Sequence, residues 1–276
     1  MKKTLFTIVL TLCSLHALGQ TERDDIISCY DYADVSDFKP SSYMRNVVVM
    51  VDQTVNLDTN LKKTVHQQMG QLLTAGDRIR IVPFSANAQG RYTDVTFDGT
   101  FDIELSQDSR NAMNRLKLNK FDACMEKQKA GAIRLVHEKL KMSFHDSDQA
   151  YPKTELVGSL MNVSKSLFSD GGEQRKILIL VSDMLENSDV SSFYSQGSVR
   201  AIDAEDEFVK YELSIPNDAL SSVDVFVIGG GYLNGGKAYS SQVALNSLRS
   251  FWEKVVTKAG GDLSDFGTPQ LLKDIK

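Results

Sequence analysis

The side chains best suited to chemistry carry oxygen and stand next to predicted strands and helices. One group follows a valine-rich run at 46–51, in the sequence DQTVN, and a further acid follows the apolar run KILILVS at 176–182. A threonine opens an amphipathic stretch at 154–168. The candidate ligands are Asp52, Thr54, Asn56, Thr154 and Asp183. Carboxylates, hydroxyls and an amide, without histidine or cysteine, favour Mg²⁺, Mn²⁺ or Ca²⁺ over zinc.

Two predicted strands are expected to bring the acids together. Continuous β-branched runs are typical of strands that are buried on both faces of a parallel sheet. In such a sheet, ligands bind beyond the carboxyl ends of the strands, near the change in strand order. Asp52 and Asp183 each come directly after such a run, so we expect both carboxylates at that edge.

Strands and helices alternate along the chain. Strands are predicted at 46–51, 78–84, 176–182 and 223–229, helices at 57–73, 154–168, 199–213 and 242–258, and a loop at 187–198. The stretch 92–105, which alternates around Asp98-Gly99, is predicted to form a β-hairpin. This order predicts an α/β fold, with a Rossmann-like open, mostly parallel sheet and helices on both faces.

Length and composition predict one main domain. The chain has 276 residues, of which 42% are hydrophobic, which suits a sizeable core and excludes collagen, coiled coil and disorder. We expect the domain at 46–262 with a helical insertion at about 106–150, a polar N-terminal arm at 21–45 and a C-terminal tail at 263–276. The net charge of −5 argues against a nucleic-acid partner.

The first twenty residues have the pattern of a secretory signal peptide. Two lysines precede an apolar run at 5–15, and the stretch ALG at 17–19 supplies small residues before the cleavage point. The apolar run is too short to span a bilayer as a helix. We therefore expect cleavage after Gly19 or Gln20 and a periplasmic or secreted protein without a transmembrane segment. An uncleaved N-terminal anchor is the alternative.

Export changes the interpretation of the cysteines. Cys13 lies within the signal, which leaves Cys29 and Cys124 in the mature chain. Two cysteines in an oxidising compartment predict a disulfide that ties the N-terminal arm to the middle of the chain. Two buried free thiols are the alternative.

Four motifs, in order, resemble a known family. The sequence VVVMVDQTVN resembles the first strand and DxSxS motif of a von Willebrand factor A-type domain, and the GDRI and FSANA stretches at 76–88 resemble its next strand and turn. TEL at 154–156 resembles the helix start that bears the family's metal-site threonine, and ILILVSDM at 177–184 resembles the strand that ends in its second metal-site aspartate. The resemblance spans about 45–260.

The resemblance implies a metal-ion-dependent adhesion site. Thr54 and Asn56 would then contact the divalent cation directly, and Thr154 would join them in the ligand-bound form. Asp52 and Asp183 would act mostly through water molecules. The open position of the cation would accept a carboxylate from a partner protein, so the resemblance implies a non-enzymatic binding module.

The motifs depart from the family pattern at three positions. Thr54 and Asn56 stand where the family has its two serines, and both keep an oxygen that is able to coordinate a cation. Met184 follows Asp183 where the family often has glycine.

Other interpretations of the same residues remain open. Thr154 is also a suitable helix N-cap, and the two acids are able to close loops at strand ends. A metal-free structural subunit of an envelope assembly is one alternative function. Another is a phosphotransferase of the haloacid dehalogenase type that uses Asp52 as a nucleophile, although Thr54 stands where that family has a second acid.

Overall fold

One six-stranded sheet organises the molecule. The computed structural model describes residues 23–84, 94–145, 154–168, 175–195, 198–233, 241–268, 270–272 and 275. The strands are β1 (Arg45–Asp52), β2 (Asp77–Phe84), β3 (Phe97–Thr100), β4 (Arg175–Val181), β5 (Tyr194–Ser195), β6 (Ser198–Val199), β7 (Val223–Ile228) and β8 (Asp262–Gly267). The order in the sheet is β3-β2-β1-β4-β7-β8, and β5 pairs with β6 in a separate ribbon.

Helices cover both faces of the sheet. They are α1 (Cys29–Tyr32), α2 (Thr59–Leu72), α3 (Gln107–Ala112), α4 (Arg115–His145), α5 (Leu156–Leu167), α6 (Ala204–Val209) and α7 (Gln242–Lys258), with 3-10 turns at Ser36–Phe38 and Glu212–Ser214. All strands of the sheet run parallel except β3, which is antiparallel to β2. The predicted α/β, mostly parallel fold is confirmed.

The apolar side chains of β1 pack into two hydrophobic cores, one on each face of the sheet. Val47 and Val49 pack with the α2 and α4 side chains on one face, and Val48 and Met50 pack with α5 and α7 on the other. Side chains alternate between the faces of a strand, so a strand with helices on both faces must be apolar at every position. Strand order reverses beside β1, because β2 lies on one side of it and β4 on the other.

The predicted helical insertion contains α3 and the long helix α4. Val136 and Leu140 of α4 are fully buried in the core that also contains Val65 of α2. The predicted insertion therefore contributes α4 to the helical layer that also contains α2 and covers one face of the sheet. Residues 146–150 of the predicted insertion lie outside the described residues.

The predicted hairpin around Asp98-Gly99 is wrong. Both residues lie inside β3, where Asp98 pairs with Arg80 and Gly99 with Ile79 of β2. A Cβ on Gly99 would stand 2.7 Å from the Ile26 side chain, so this glycine permits the close approach of the N-terminal segment. The Asp98 carboxylate binds the Arg78 guanidinium at 2.8 Å. Residues 92–93 lie outside the described part of the chain.

Several predicted elements have different ends. The predicted helix at 199–213 is helical only in α6 and in the 3-10 turn that begins at Glu212, and its first residue belongs to β6. The predicted loop at 187–198 contains β5 and the first residue of β6. Strand β8 continues the sheet to Gly267, past the predicted domain end at 262. The helix predicted at 242–258 has those limits in the structure.

The predicted disulfide between Cys29 and Cys124 is confirmed. It joins α1 to α4 with the two Cα atoms 5.5 Å apart. Cys29 belongs to a small core that also contains Tyr30 and Phe121. The described part of the predicted N-terminal arm is therefore packed against the domain. The predicted signal peptide at 1–20 lies outside the described residues, and none of the helices described is long and apolar enough to cross a membrane.

Candidate metal site at the ends of the central strands

The loop after β1 folds back on its own aspartate. Asp52 ends the strand, and its Oδ1 accepts hydrogen bonds from the Thr54 backbone N–H at 2.9 Å and from Thr54 Oγ1 at 2.6 Å. Val55 and Leu57 are buried below the loop. Asp58 then caps α2 by accepting a hydrogen bond from the Leu61 N–H at 2.8 Å. The apolar residues of the loop thus anchor it while Thr54 faces Asp52.

A second segment brings Thr154 to the same place. Thr154 forms an isolated β-bridge with Asn187, with both N–H···O distances at 2.9 Å. Its hydroxyl donates to Thr54 Oγ1 at 2.9 Å. A chain of hydrogen bonds therefore runs from Thr154 through Thr54 to Asp52.

The N-cap interpretation of Thr154 does not hold. The N-cap position of α5 belongs to Glu155, which makes no side-chain cap. Instead, the Leu156 and Val157 N–H groups donate to Glu186 Oε2 at 2.9 and 3.0 Å. The Thr154 hydroxyl is thus directed to the candidate site, and Glu186 caps the helix.

Asp183 reaches the site from the end of β4. Its Oδ1 accepts a hydrogen bond from the Leu185 N–H at 2.9 Å, and its Oδ2 accepts one from the Tyr194 hydroxyl at 2.6 Å. Ser182, one residue earlier, donates its hydroxyl to Asp52 Oδ2 at 2.7 Å. The end of β4 therefore contacts Asp52 directly.

Met184 adopts the conformation that glycine favours. Its φ is +60°, in the left-handed region that side chains disfavour. The side chain is buried, and the Met184 carbonyl accepts a hydrogen bond from Trp252 Nε1 at 2.8 Å. The backbone turn that follows Asp183 is therefore formed without glycine and is held by the core.

Asn56 lies in the same loop and is exposed. Four of the five predicted ligands, namely Asp52, Thr54, Thr154 and Asp183, surround the ends of β1 and β4. That these five residues bind a cation stays a prediction.

The two aspartates are buried without a balancing charge. Asp52 and Asp183 are 2% and 3% exposed, and within the described ranges no lysine, arginine or histidine pairs with either. Burial raises the pKa of Asp52, although hydrogen bonds from Thr54 and Ser182 oppose this. Burial, followed by the charge of Asp52, raises the pKa of Asp183 to about 8.

Three residues at the site are not in the predicted set. Ser182 directly precedes Asp183 and has no distinctive sequence signal. Tyr194 lies in the segment 187–198, and Glu186 directly precedes that segment. The sequence offers no periodicity that would place either side chain. Burial raises the pKa of Glu186 to about 7 and that of Tyr194 above its usual range.

The donor set suits a hard cation that binds through few carboxylates. Among the described residues, no group of three or more His, Cys, Asp or Glu side chains is arranged to hold a metal ion. A cation at this site would depend on the hydroxyls of Thr54 and Thr154 as well as on the two aspartates. This combination of oxygen donors is compatible with Mg²⁺, Mn²⁺ or Ca²⁺.

Comparisons with known proteins provide no family assignment. No family model matches the chain, and no curated protein matches it. An aerotolerance-related membrane protein from Bacteroides fragilis NCTC 9343 aligns over 79% of this chain and 89% of its own, with 11% identity and a TM-score of 0.38. The pilus adhesin SpaC from Lactobacillus rhamnosus GG aligns over 79% of this chain and 27% of its own, with 12% identity and a TM-score of 0.40.

A third similar structure is the conserved hypothetical protein BatB from Bacteroides thetaiotaomicron. It aligns over 78% of this chain and 87% of its own, with 10% identity and a TM-score of 0.31. Likeness at these levels carries no argument about ligands or partners. The strand order and the helices define the chain as an α/β protein with a Rossmann-like sheet.

Proposed function

We propose that this chain is a non-enzymatic, exported protein-binding module of the von Willebrand factor A type. In this proposal, a divalent cation held by Asp52, Thr54, Asn56, Thr154 and Asp183 engages a carboxylate of a partner protein. The observation that carries the proposal is the pair of buried aspartates at the switch in strand order, next to two hydroxyls and without a cationic side chain among the described residues.

The electrostatics of the pair favour a cation. Burying a carboxylate away from water is unfavourable unless it is paired or protonated. In the protein without a cation, burial of the charged carboxylates is unfavourable and therefore raises the pKa values of Asp52 and Asp183. A bound divalent cation would favour the charged form of both groups and would lower both pKa values.

Each ligand has a distinct part in the proposal. Thr54 and Thr154 offer neutral hydroxyl oxygens, and Asn56 offers an amide oxygen, so that the cation keeps enough positive charge to attract an external carboxylate. Asp52 and Asp183 act mainly through water. The cation supplies a Lewis-acidic position for the partner's carboxylate.

The disulfide supports the proposed export. Disulfides persist in oxidising compartments, and the Cys29–Cys124 bond is formed in the structure. A periplasmic or secreted location is therefore part of the proposal.

Thermal unfolding tests the cation site. The mature protein is melted in EDTA and in Mg²⁺, Mn²⁺ or Ca²⁺, as the wild type and as Asp52→Asn. A cation at a hundredfold excess over its Kd should add about 2.7 kcal/mol to the free energy of unfolding of the wild type, and Asp52→Asn should abolish the gain. Asp58→Asn is the matched control, because it makes the same change in the same loop and keeps an N-cap.

A melt that no cation changes would contradict the proposed site. It would favour the second candidate, a metal-free structural subunit of an envelope assembly. The hydrogen bonds from Tyr194 to Asp183 and from Thr154 to Thr54 favour that candidate, since they partly satisfy the site without an ion.

The third candidate, a phosphotransferase with Asp52 as nucleophile, has less structural support. Both Asp52 oxygens accept hydrogen bonds, and the residue is 2% exposed. Thr54 lies where the second acid of such an enzyme would be needed.

A further inference from the structure

A groove lies between the N-terminal segment and α4, and it shares no residue with the candidate metal site. It encloses about 390 Å³. One wall is formed by Ile27 and Tyr32, and the floor follows α4 along Ala123, Lys127 and Gly131. These three α4 residues are spaced by four, so they lie on one face of the helix.

The groove is preformed, because the N-terminal segment that forms its wall and the helix α4 that forms its floor are joined covalently and by hydrogen bonds. The Cys29–Cys124 disulfide ties α1 to α4. Gln128 of α4 donates through Nε2 to the Ile27 carbonyl at 2.9 Å and to Asp102 Oδ2 at 2.8 Å. A partner would therefore meet a rigid surface and would not have to order it.

The walls expose apolar side chains. Ile27 is 75% exposed and Tyr32 is 62% exposed, next to the small residues Ala123 and Gly131. A Cβ on Gly131 would meet nothing within 4 Å, so there is free space above this position. The groove therefore offers a concave, mainly apolar space that is able to receive one apolar side chain.

The charge beside the groove is positive. Lys127 and Arg134 line it, both are exposed, and neither forms an ion pair within the described ranges. Helix α4 carries eight basic and three acidic residues, whereas the whole chain has a net charge of −5. The helix that forms the floor of the groove thus has a net charge of the opposite sign to that of the whole chain, and none of the described residues that line the groove is acidic.

We propose that the groove binds a segment of a partner protein in which an apolar side chain is flanked by aspartate or glutamate. The apolar side chain occupies the space above Gly131, and the acids pair with Lys127 and Arg134. The concave shape favours a protruding side chain over a flat membrane surface. Charge complementarity of this kind steers association and selects the partner.

Fluorescence anisotropy with short labelled peptides tests the groove. The probe has a central phenylalanine flanked by glutamates, and two reference peptides replace either the glutamates by lysines or the phenylalanine by serine. The probe should bind, and both reference peptides should bind more weakly by about tenfold or more.

Variants assign the binding to the groove. Gly131→Leu, which fills the groove, and the double variant Lys127→Glu/Arg134→Glu should each weaken binding of the probe by about tenfold or more. Gly131→Ala and the double variant Lys120→Glu/Lys129→Glu are the controls. The second control makes the same charge change on α4 outside the groove. EDTA should not change binding, which separates this proposal from the cation site.

Three results would overturn the proposal. One is that the probe does not bind. Another is an equal loss of binding in Lys120→Glu/Lys129→Glu, which would indicate general attraction to a basic helix. The third is binding to phosphatidylglycerol vesicles with the same dependence on Gly131→Leu and a higher affinity than for the peptide, which would assign the surface to a membrane.

Discussion

The side chains around Asp52 and Asp183 combine an unfavourable charge arrangement with well-satisfied hydrogen bonds. The four carboxylate oxygens accept hydrogen bonds from Thr54, Ser182, the Leu185 N–H and Tyr194. These bonds stabilise the local geometry but supply no net positive charge. The protonation state of the pair should therefore govern stability when no cation is bound.

Asp183→Asn should change the pH dependence of stability in EDTA. The pKa of Asp183 is about 8 in the folded protein and near 3.9 in an unfolded chain. Between these values only the folded state keeps the proton, so the free energy of unfolding should fall as the pH rises, by up to about 1.4 kcal/mol per pH unit. Asparagine does not titrate, so the free energy of unfolding of the variant should fall less steeply as the pH rises. The variant should therefore be more stable than the wild type at pH about 8.

Urea unfolding in EDTA at several pH values between about 4 and about 9 measures this difference. The free energy of unfolding of Asp183→Asn should still depend on pH to some extent, because burial also raises the pKa values of Asp52 and Glu186. Equal slopes for Asp183→Asn and the wild type would contradict the assignment of the raised pKa to Asp183.

Tyr194→Phe should strengthen cation binding. The tyrosine hydroxyl occupies Asp183 Oδ2 at 2.6 Å, and its removal leaves that oxygen free for a cation or its water. Titration calorimetry should show a severalfold lower Kd, and the variant should lose about 1 to 3 kcal/mol of stability in EDTA because a hydrogen bond to a carboxyl group is lost. Tyr211→Phe is a control, since that hydroxyl contacts Ser188 and not Asp183. Weaker cation binding by Tyr194→Phe would instead make the hydroxyl part of the site.

The loop that carries Tyr194 is held by a buried acid on a neighbouring helix. Glu207 of α6 accepts a hydrogen bond from the Ser191 hydroxyl at 2.6 Å and forms ion pairs with Arg200 and Lys210. Arg200 also donates its backbone N–H to the Phe193 carbonyl at 2.8 Å. Helix α6 therefore positions the β5–β6 ribbon, and with it the tyrosine above Asp183.

Helix α5 depends on Glu186 for its first turn. Glu186→Ala removes the acceptor of the Leu156 and Val157 N–H groups, and unpaired buried donors cost about 1 to 3 kcal/mol each. We expect a loss of about 2 to 4 kcal/mol in the free energy of unfolding. Glu186→Gln keeps an acceptor oxygen and should lose far less. An equal loss in both variants by chemical unfolding would show that the carboxylate acts through its charge instead.

The elements nearest the site were predictable to different degrees. The runs that became β1 and β4 were recognisable because strands covered on both faces need apolar residues throughout. The hairpin at Asp98-Gly99 was predicted wrongly because a local Asp-Gly pair also occurs where a glycine admits a neighbouring segment, here at Ile26. Local patterns do not distinguish a turn from a close packing contact.

The disulfide stabilises the molecule as a whole and anchors the N-terminal segment. It joins residues 95 positions apart, and closing a loop of about 100 residues contributes roughly 4.7 kcal/mol in the chain-entropy model. Cys29→Ser/Cys124→Ser should therefore lower the free energy of unfolding by about 3 to 5 kcal/mol. Reduction of the wild type should produce a similar loss, which controls for the buried serine hydroxyl at position 29.

Urea unfolding with and without a reductant measures both effects. A loss below about 1 kcal/mol in both cases would show that the N-terminal segment is held by its other contacts. Those contacts include the Gln128–Ile27 hydrogen bond, the hydrogen bond from the Cys29 N–H to Asp102 and the small core around Tyr30.

The sequence by itself determined the fold class, the main strands and four residues that the structure brings together at one sheet edge. These features follow from apolar runs and from the residues directly after them, and such patterns are local. The tertiary structure alone decided that Tyr194 contacts Asp183, that Glu186 caps α5 and that Met184 takes a left-handed backbone. Each of these depends on how distant segments pack together, which no local spacing encodes.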